Sequence, residues 1–255
     1  MTKKIAKFIG TIRRWVNVNI GYDVVHFSGQ HNLRSHLTTC INEYKIDTIF
    51  DVGANEGQFG EFVRGLGFSG KIYSFEPVDS AFQKLQSISA ADHDWIIFNF
   101  ALGSGAAESY INVSEFTSFS SILTPSDYAL EHWANSRVDH QQKILIKTLD
   151  QCVLDRLIPE SGRTLLKMDT QGYDLEVFRG GQKVLDQVSV ILSELSLIAV
   201  YNDMPSYKDS LATYEAAGFS VSGFYPITRN KDLSLNEVDC VLAKTARHPS
   251  KIGHE

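Results

Sequence analysis

The sequence predicts an α/β fold with a largely parallel sheet and helices on both faces. Three observations predict it. Short β-rich runs alternate with helical segments from about residue 45 onward, as repeated strand-helix-strand crossovers require. The run 188–193 is strongly apolar, as a strand buried on both faces must be. The first run ends in a glycine-containing turn that opens a helix. A chain of 255 residues with 43% hydrophobic and 21% charged content can bury one large domain with an appendage.

Taken in order, residues 1–20 place Ile5, Phe8, Ile9, Ile12 and Val16 at helical spacing, with Lys3, Lys4, Lys7, Arg13 and Arg14 over much of the opposite side. This predicts a basic amphipathic helix, suited either to a membrane surface or partner or to packing on its own domain. A second helical stretch over 21–45 completes a helical appendage, residues 1–44. The domain then runs over 45–245. Its first strand is expected at 46–52, followed by helix within 59–66, strand at 71–75, helix at 79–87 with Asp79 as cap, and strand at 95–100. Residues 114–140, rich in Ser, Thr, Asn and aromatics, predict an insertion or lid over a site. Regular structure returns with a strand at 164–168, a helix from 174, the strand at 188–193 and a helix at 207–217 ended by Gly218. Strands at 219–225 and 238–243 with no helix between them predict a hairpin at the sheet edge, and 246–255 reads as a flexible tail.

Composition narrows the function. Cys40, Cys152 and Cys240 are widely spaced, so neither a disulfide framework nor a cysteine zinc site is suggested, and a reducing cytoplasm fits. No apolar run reaches the roughly 18 residues of a membrane span, and no secretory leader is evident. Of 24 basic residues, five lie in the first 20 positions, leaving 19 against 30 acids beyond. So acidic a body excludes nucleic acid as an expected partner, while the basic helix leaves open a peripheral contact of residues 1–20 with the inner membrane surface beside the packed alternative.

The chemistry concentrates in Asp51-Val52-Gly53-Ala54-Asn55-Glu56-Gly57. Glycines at a strand-to-helix turn let the backbone approach a ligand, and the free N–H groups of the helix start receive its polar atoms. A dinucleotide fingerprint needs a middle glycine where Asn55 stands, so a pyrophosphate cradle is disfavoured. Asp51 suits a ligand carrying an ammonium group. Glu76, followed by Pro77 at the end of the second strand, can accept both hydroxyls of a ribose, or cap the helix after it. Asn99, Ala101 and Leu102 offer an amide and an apolar wall near the expected adenine position.

In order and spacing these segments resemble the FkbM-type methyltransferases. Residues 51–60, 74–77 and 99–104 are similar to that family's donor motifs. Thr148-Leu149-Asp150, Leu166-Lys167-Met168-Asp169-Thr170-Gln171-Gly172-Tyr173-Asp174 and Val177-Phe178-Arg179-Gly180-Gly181 are similar to its later signatures. The resemblance covers about residues 45–225. It implies a Rossmann-like class I methyltransferase fold, with a seven-stranded, mostly parallel sheet and one antiparallel edge strand. It also implies S-adenosylmethionine as donor, S-adenosylhomocysteine as product, and hydroxyl groups of sugars or natural products as acceptors.

Methyl transfer to a hydroxyl requires alignment, exclusion of water and removal of a proton. Asp169 and Glu194, each closing a strand at the carboxyl edge of the sheet, are the expected base and its assistant, with Asp169 also beside the donor. Asp169 could instead bond only to local backbone, and two neighbouring carboxylates could hold Mg²⁺, although no metal is expected. His132, in the suspected lid, is a further candidate base or a surface histidine. Tyr173, Trp133, Tyr201 and Tyr225 could stack on a sugar or fill the core, and Ser118, Ser120 and Ser121 could touch a ligand. Two other readings stand beside the O-methyltransferase: a nicotinamide-dependent oxidoreductase, which Asn55 disfavours, and a nucleotide-binding scaffold without turnover.

Overall fold

In the computed structural model, residues 3–20 and 32–244 are described. The chain divides into two compact units, Met1–Thr39 and Cys40–Glu255. The first contains α1 (Lys3–Ile20) and the start of α2 (Leu33–Glu43). On α1 the apolar residues Phe8, Ile12, Trp15, Val18 and Ile20 are exposed. The proposed tail and most of the stretch between the two helices lie outside the described residues.

The second unit continues with β1 (Thr48–Val52), α3 (Gln58–Gly65), β2 (Lys71–Phe75), α4 (Asp79–Ser89) and β3 (Trp95–Phe98). Then come β4 (Ala101–Leu102), β5 (Ala107–Ser114), α5 (Asp127–His132), β6 (Val138–Lys147) and α6 (Leu149–Leu154). It closes with β7 (Thr164–Met168), α7 (Asp174–Arg179), β8 (Val188–Ser196), α8 (Tyr207–Ala216), β9 (Phe219–Arg229) and β10 (Leu235–Lys244). Seven strands form the main sheet in the order β3-β2-β1-β7-β8-β10-β9. This is the class I methyltransferase topology. β1 pairs in parallel with β2 and β7, whereas β10 is antiparallel to both β8 and β9. The single antiparallel strand is thus threaded next to the border, with β9 outermost.

All five residues of β1 and of β7 are buried, because helices cover both faces of the central strands. Phe50, Phe75, Leu166, Phe178 and Ile191 pack in one core cluster, each contributing roughly 1.5–3 kcal/mol on burial. The sheet order reverses at β1 and β7, so the strand ends and turns that open a crevice there come from both halves of the sequence.

Two local expectations change. Asp79 lies in the first turn of α4, with Val78 at the cap position and no side-chain cap. The stretch expected as an insertion, 114–140, is flanked by strands that the sequence did not announce: β5 pairs antiparallel with β6, and β6 pairs with β4, giving a separate three-stranded sheet. A one-turn 3-10 helix at Thr117–Phe119 and α5 fill the connection between β5 and β6.

Candidate active site

The turn after β1 is built around a missing side chain. Gly53 has φ +73°, and a Cβ there would lie 2.0 Å from the backbone oxygen of Asp169, so two strand ends meet in backbone contact. Asn55 follows in the left-handed region at φ 48°. Its N–H donates to Glu76 Oε2 at 2.8 Å, and the Val78 N–H donates to Glu76 Oε1 at 2.8 Å. Glu76 therefore stitches the first turn to the second while sitting 5% exposed in the cavity wall. Burial pushes its carboxyl up to about 7 against the pull of those two amides and of Lys167.

Under the turn runs a buried polar chain. Trp95 Nε1 donates to Ser74 Oγ and Ser74 Oγ to Asp51 Oδ2, both at 2.9 Å. Asp51 Oδ1 stands 3.1 Å from Lys167 Nζ, which donates to the Gly53 carbonyl at 2.7 Å. Burial works against the charge on Lys167, but Asp51 and Asp169 overcome it and hold the ammonium well above its usual range. Asp51 is fully buried and serves this pair, so the structure gives it a supporting place beneath the turn rather than in the cavity wall.

Carboxylates gather at the other end. Gln171, at φ 54°, directs Nε2 to Asp169 Oδ1 at 3.0 Å and towards Glu194 Oε1 at 3.4 Å. The Tyr201 hydroxyl shares its proton between Gln171 Oε1 at 2.8 Å and the Phe119 carbonyl at 3.1 Å. Burial, then the charges of Asp169, Glu237 and Asp239, drive the Glu194 carboxyl well above the usual range. Asp239 rises to about 6 through burial and Asp169, and Glu237 is raised by burial and Asp169.

These two ends bound a cavity of about 280 Å³. Of the residues singled out in the sequence, Gly53, Asn55, Glu76, Pro77, Ala101, Leu102, Asp169 and Glu194 line it. Gly57 does not; it caps α3 and faces Leu85 and Trp95. Asn99 is also outside, its Nδ2 donating to the carbonyls of Glu76 and Pro77 at 3.1 and 3.3 Å, so it braces the wall from behind. His132 is exposed on α5, with Nδ1 3.0 Å from the Tyr128 carbonyl and its ring stacked on Tyr128 at 4.2 Å; that stacking holds it away from the cavity wall. Tyr173, Ser118 and Ser120 reach the cavity, whereas Trp133 packs edge-on against Tyr128 and Tyr225 is absent from the wall.

The expected cover is present as a strap. Thr117 Oγ1 donates to Asn55 Oδ1 at 2.7 Å, and Ser121 Oγ donates to the Gln171 carbonyl at 2.7 Å. Ile227, Thr228 and Glu237 of the terminal hairpin also line the cavity, and nothing in the sequence beyond the hairpin itself signals them. Among the described residues no group of three or more His, Cys, Asp or Glu side chains is arranged to hold a metal ion. Among the same residues no helix is long and apolar enough to cross a membrane.

No curated protein matches the chain. A solved methyltransferase FkbM from Methylobacillus flagellatus KT is similar at 12% identity and a TM-score of 0.49, over 78% of this chain and 43% of that one. This chain thus spans less than half the length of that relative. An rRNA methylase from Streptococcus thermophilus is similar at 13% identity and TM-score 0.44, over 82% of this chain and 95% of that one. Aeropyrum pernix fibrillarin, solved with natively bound S-adenosyl-L-methionine, gives 12% and 0.44 over 77% and 66%. Residues 51–221, which hold both cavity ends except the last hairpin, match the family model of the methyltransferase FkbM domain, and the chain belongs to that family.

Proposed function

We propose that the chain is an S-adenosylmethionine-dependent O-methyltransferase whose acceptor is a hydroxyl of a saccharide or glycoconjugate. The observation that carries this reading is one cavity bounded by the Gly53–Glu76 turn pair at one end and by Asp169 and Glu194 at the other. The residues fit the donor. The space where a Gly53 Cβ would sit is closed by backbone, Glu76 keeps unused lone pairs for ribose hydroxyls, and Pro77, Val78, Ala101 and Leu102 supply apolar walls for a purine. When bound, S-adenosylmethionine supplies an electrophilic methyl group.

The chain's own residues then have three tasks. The strap, with Phe119 and Ile122, and the hairpin residue Ile227 exclude water. Asp169, steadied by Gln171, accepts the proton of the acceptor hydroxyl or orients it. Glu194, whose carboxyl burial pushes well above the ordinary range, donates a hydrogen bond to the acceptor or to Asp169 in its protonated form. Among the described residues the cavity wall carries four carboxylates and no Lys, Arg or His, a lining that suits an uncharged acceptor better than a phosphodiester. The basic residues of α1 support peripheral placement at the cytoplasmic face of a membrane, where such acceptors are assembled.

S-adenosylhomocysteine is expected to raise the melting temperature of the protein, while NAD leaves it unchanged. Label from S-adenosylmethionine is expected on saccharide hydroxyls, unaffected by EDTA. Asp169→Asn should retain S-adenosylhomocysteine binding but lower kcat about 10²–10⁴-fold. Full activity in that variant removes Asp169 as base, and stabilisation by NAD alone overturns the donor assignment in favour of an oxidoreductase.

A further inference from the structure

Glu237 belongs to none of the family's donor segments and lies beyond the matched residues. The hairpin aims it deliberately. The pairing of β10 with β9 shifts register on both sides of Glu237, between Leu235 and Glu237 and again between Glu237 and Val238. Such irregularities re-aim side chains and concentrate beside functional sites. Here they deliver a carboxylate to the cavity wall at 8% exposure. Thr228 Oγ1 donates to its Oε2 at 2.8 Å, and no donor among the described residues reaches Oε1.

Among the described residues, the surroundings offer Glu237 no positive charge. The other carboxylates in the wall are Glu76, Asp169 and Glu194, and the nearby buried cation, Lys167, is spent on Asp51, on Asp169 at 3.7 Å and on the Gly53 carbonyl, which leaves Glu237 without a share of it. A carboxylate left buried without a cation is costly and drawn towards its protonated form, and a cationic ligand relieves that cost by supplying the charge. We propose that Glu237 is a specificity-determining residue that, with Asp169, makes this end of the cavity select positive charge, favouring the sulfonium donor over its neutral thioether product. The proposal rests on the methyl-transfer reading of the same cavity.

Three probes separate the two ideas by calorimetry: S-adenosylmethionine, S-adenosylhomocysteine, and sinefungin, which carries an amine where the donor carries its methylsulfonium. The wild-type protein is expected to bind both cationic probes about tenfold more tightly than S-adenosylhomocysteine. Glu237→Gln, which keeps the shape and the Thr228 bond, is expected to cut that preference about threefold or more while leaving S-adenosylhomocysteine affinity within about twofold. Glu237→Ala should behave alike. Equal affinity of the wild type for all three probes, or an undiminished preference in both variants, overturns the charge selection and leaves the methyl-transfer reading standing. Failure of all three probes to bind overturns that reading, and the proposal with it.

Discussion

Glu76 shows how one residue ties stability to function. Its carboxyl is raised by burial to about 7, whereas in the unfolded chain it ionises near 4.5. The folded state therefore keeps a proton that the unfolded state releases, and this group's contribution to stability is full below about 4.5 and declines as pH rises to about 7. Ligand binding has the opposite slope, because ribose hydroxyls donate to the ionised carboxylate. S-adenosylhomocysteine affinity is expected to strengthen as pH rises from about 5.5 to 8, and Glu76→Gln to flatten that profile and weaken binding by about tenfold. A profile unchanged in the variant would place the titration elsewhere. At this scale the sequence was readable where chemistry follows from backbone position: Gly53, Glu76 and Asp169 all lie in the cavity wall. Asp51 shows the limit. A carboxylate at a strand end looks like a ligand residue until its neighbour across the register, Lys167, is known to claim it. Glu237 was illegible because its orientation depends on a shift in strand pairing, which no local pattern announces.

Among elements, α3 is the one whose position fixes the turn. It packs so closely that a Cβ on Gly60 would lie 2.0 Å from Trp95 Cζ2, and Trp95 itself anchors the polar chain through Ser74. Gly60→Ala is thus expected to destabilise the fold by about 1–3 kcal/mol through overpacking, despite the better helix propensity of alanine. A lower urea midpoint checks this; an unchanged or raised midpoint shows that the indole can yield. The strands of the main sheet were legible because burial on both faces leaves apolar runs, and Thr164–Met168 and Lys71–Phe75 fall where the sequence places them. The three-stranded sheet was not. The first half of β5 and much of β6 stay exposed, so polar residues such as Glu108, Gln141 and Lys143 interrupt the run, the buried Asn112 breaks it again, and the stretch reads as loop.

For the whole molecule, charge is divided along the chain. Five basic residues and no acid fall in the first 20 positions, against an acidic remainder. The described part of α1 keeps Phe8, Ile12 and Trp15 exposed at helical spacing. If this helix lies on an anionic bilayer, the full chain should co-sediment with vesicles containing phosphatidylglycerol and not with neutral phosphatidylcholine. The indole emission of Trp15 should shift to the blue on binding. Added salt and the pair Arg13→Glu with Arg14→Glu should each reduce binding, since a basic residue near such a surface is worth about 1 kcal/mol. Binding to both vesicle types alike would leave the charge without a role.

The strap joins what the sequence keeps apart. Thr117 is hydrogen-bonded to Asn55 in the turn assigned to the donor, while Ser121, four residues on, is hydrogen-bonded to the loop that steadies Asp169. Both ends of the cavity thus meet one short peptide pinned at two points. On the proposed reading, spent nucleoside leaves past that segment, and removing either side-chain tether is expected to change the pace of repeated turnover.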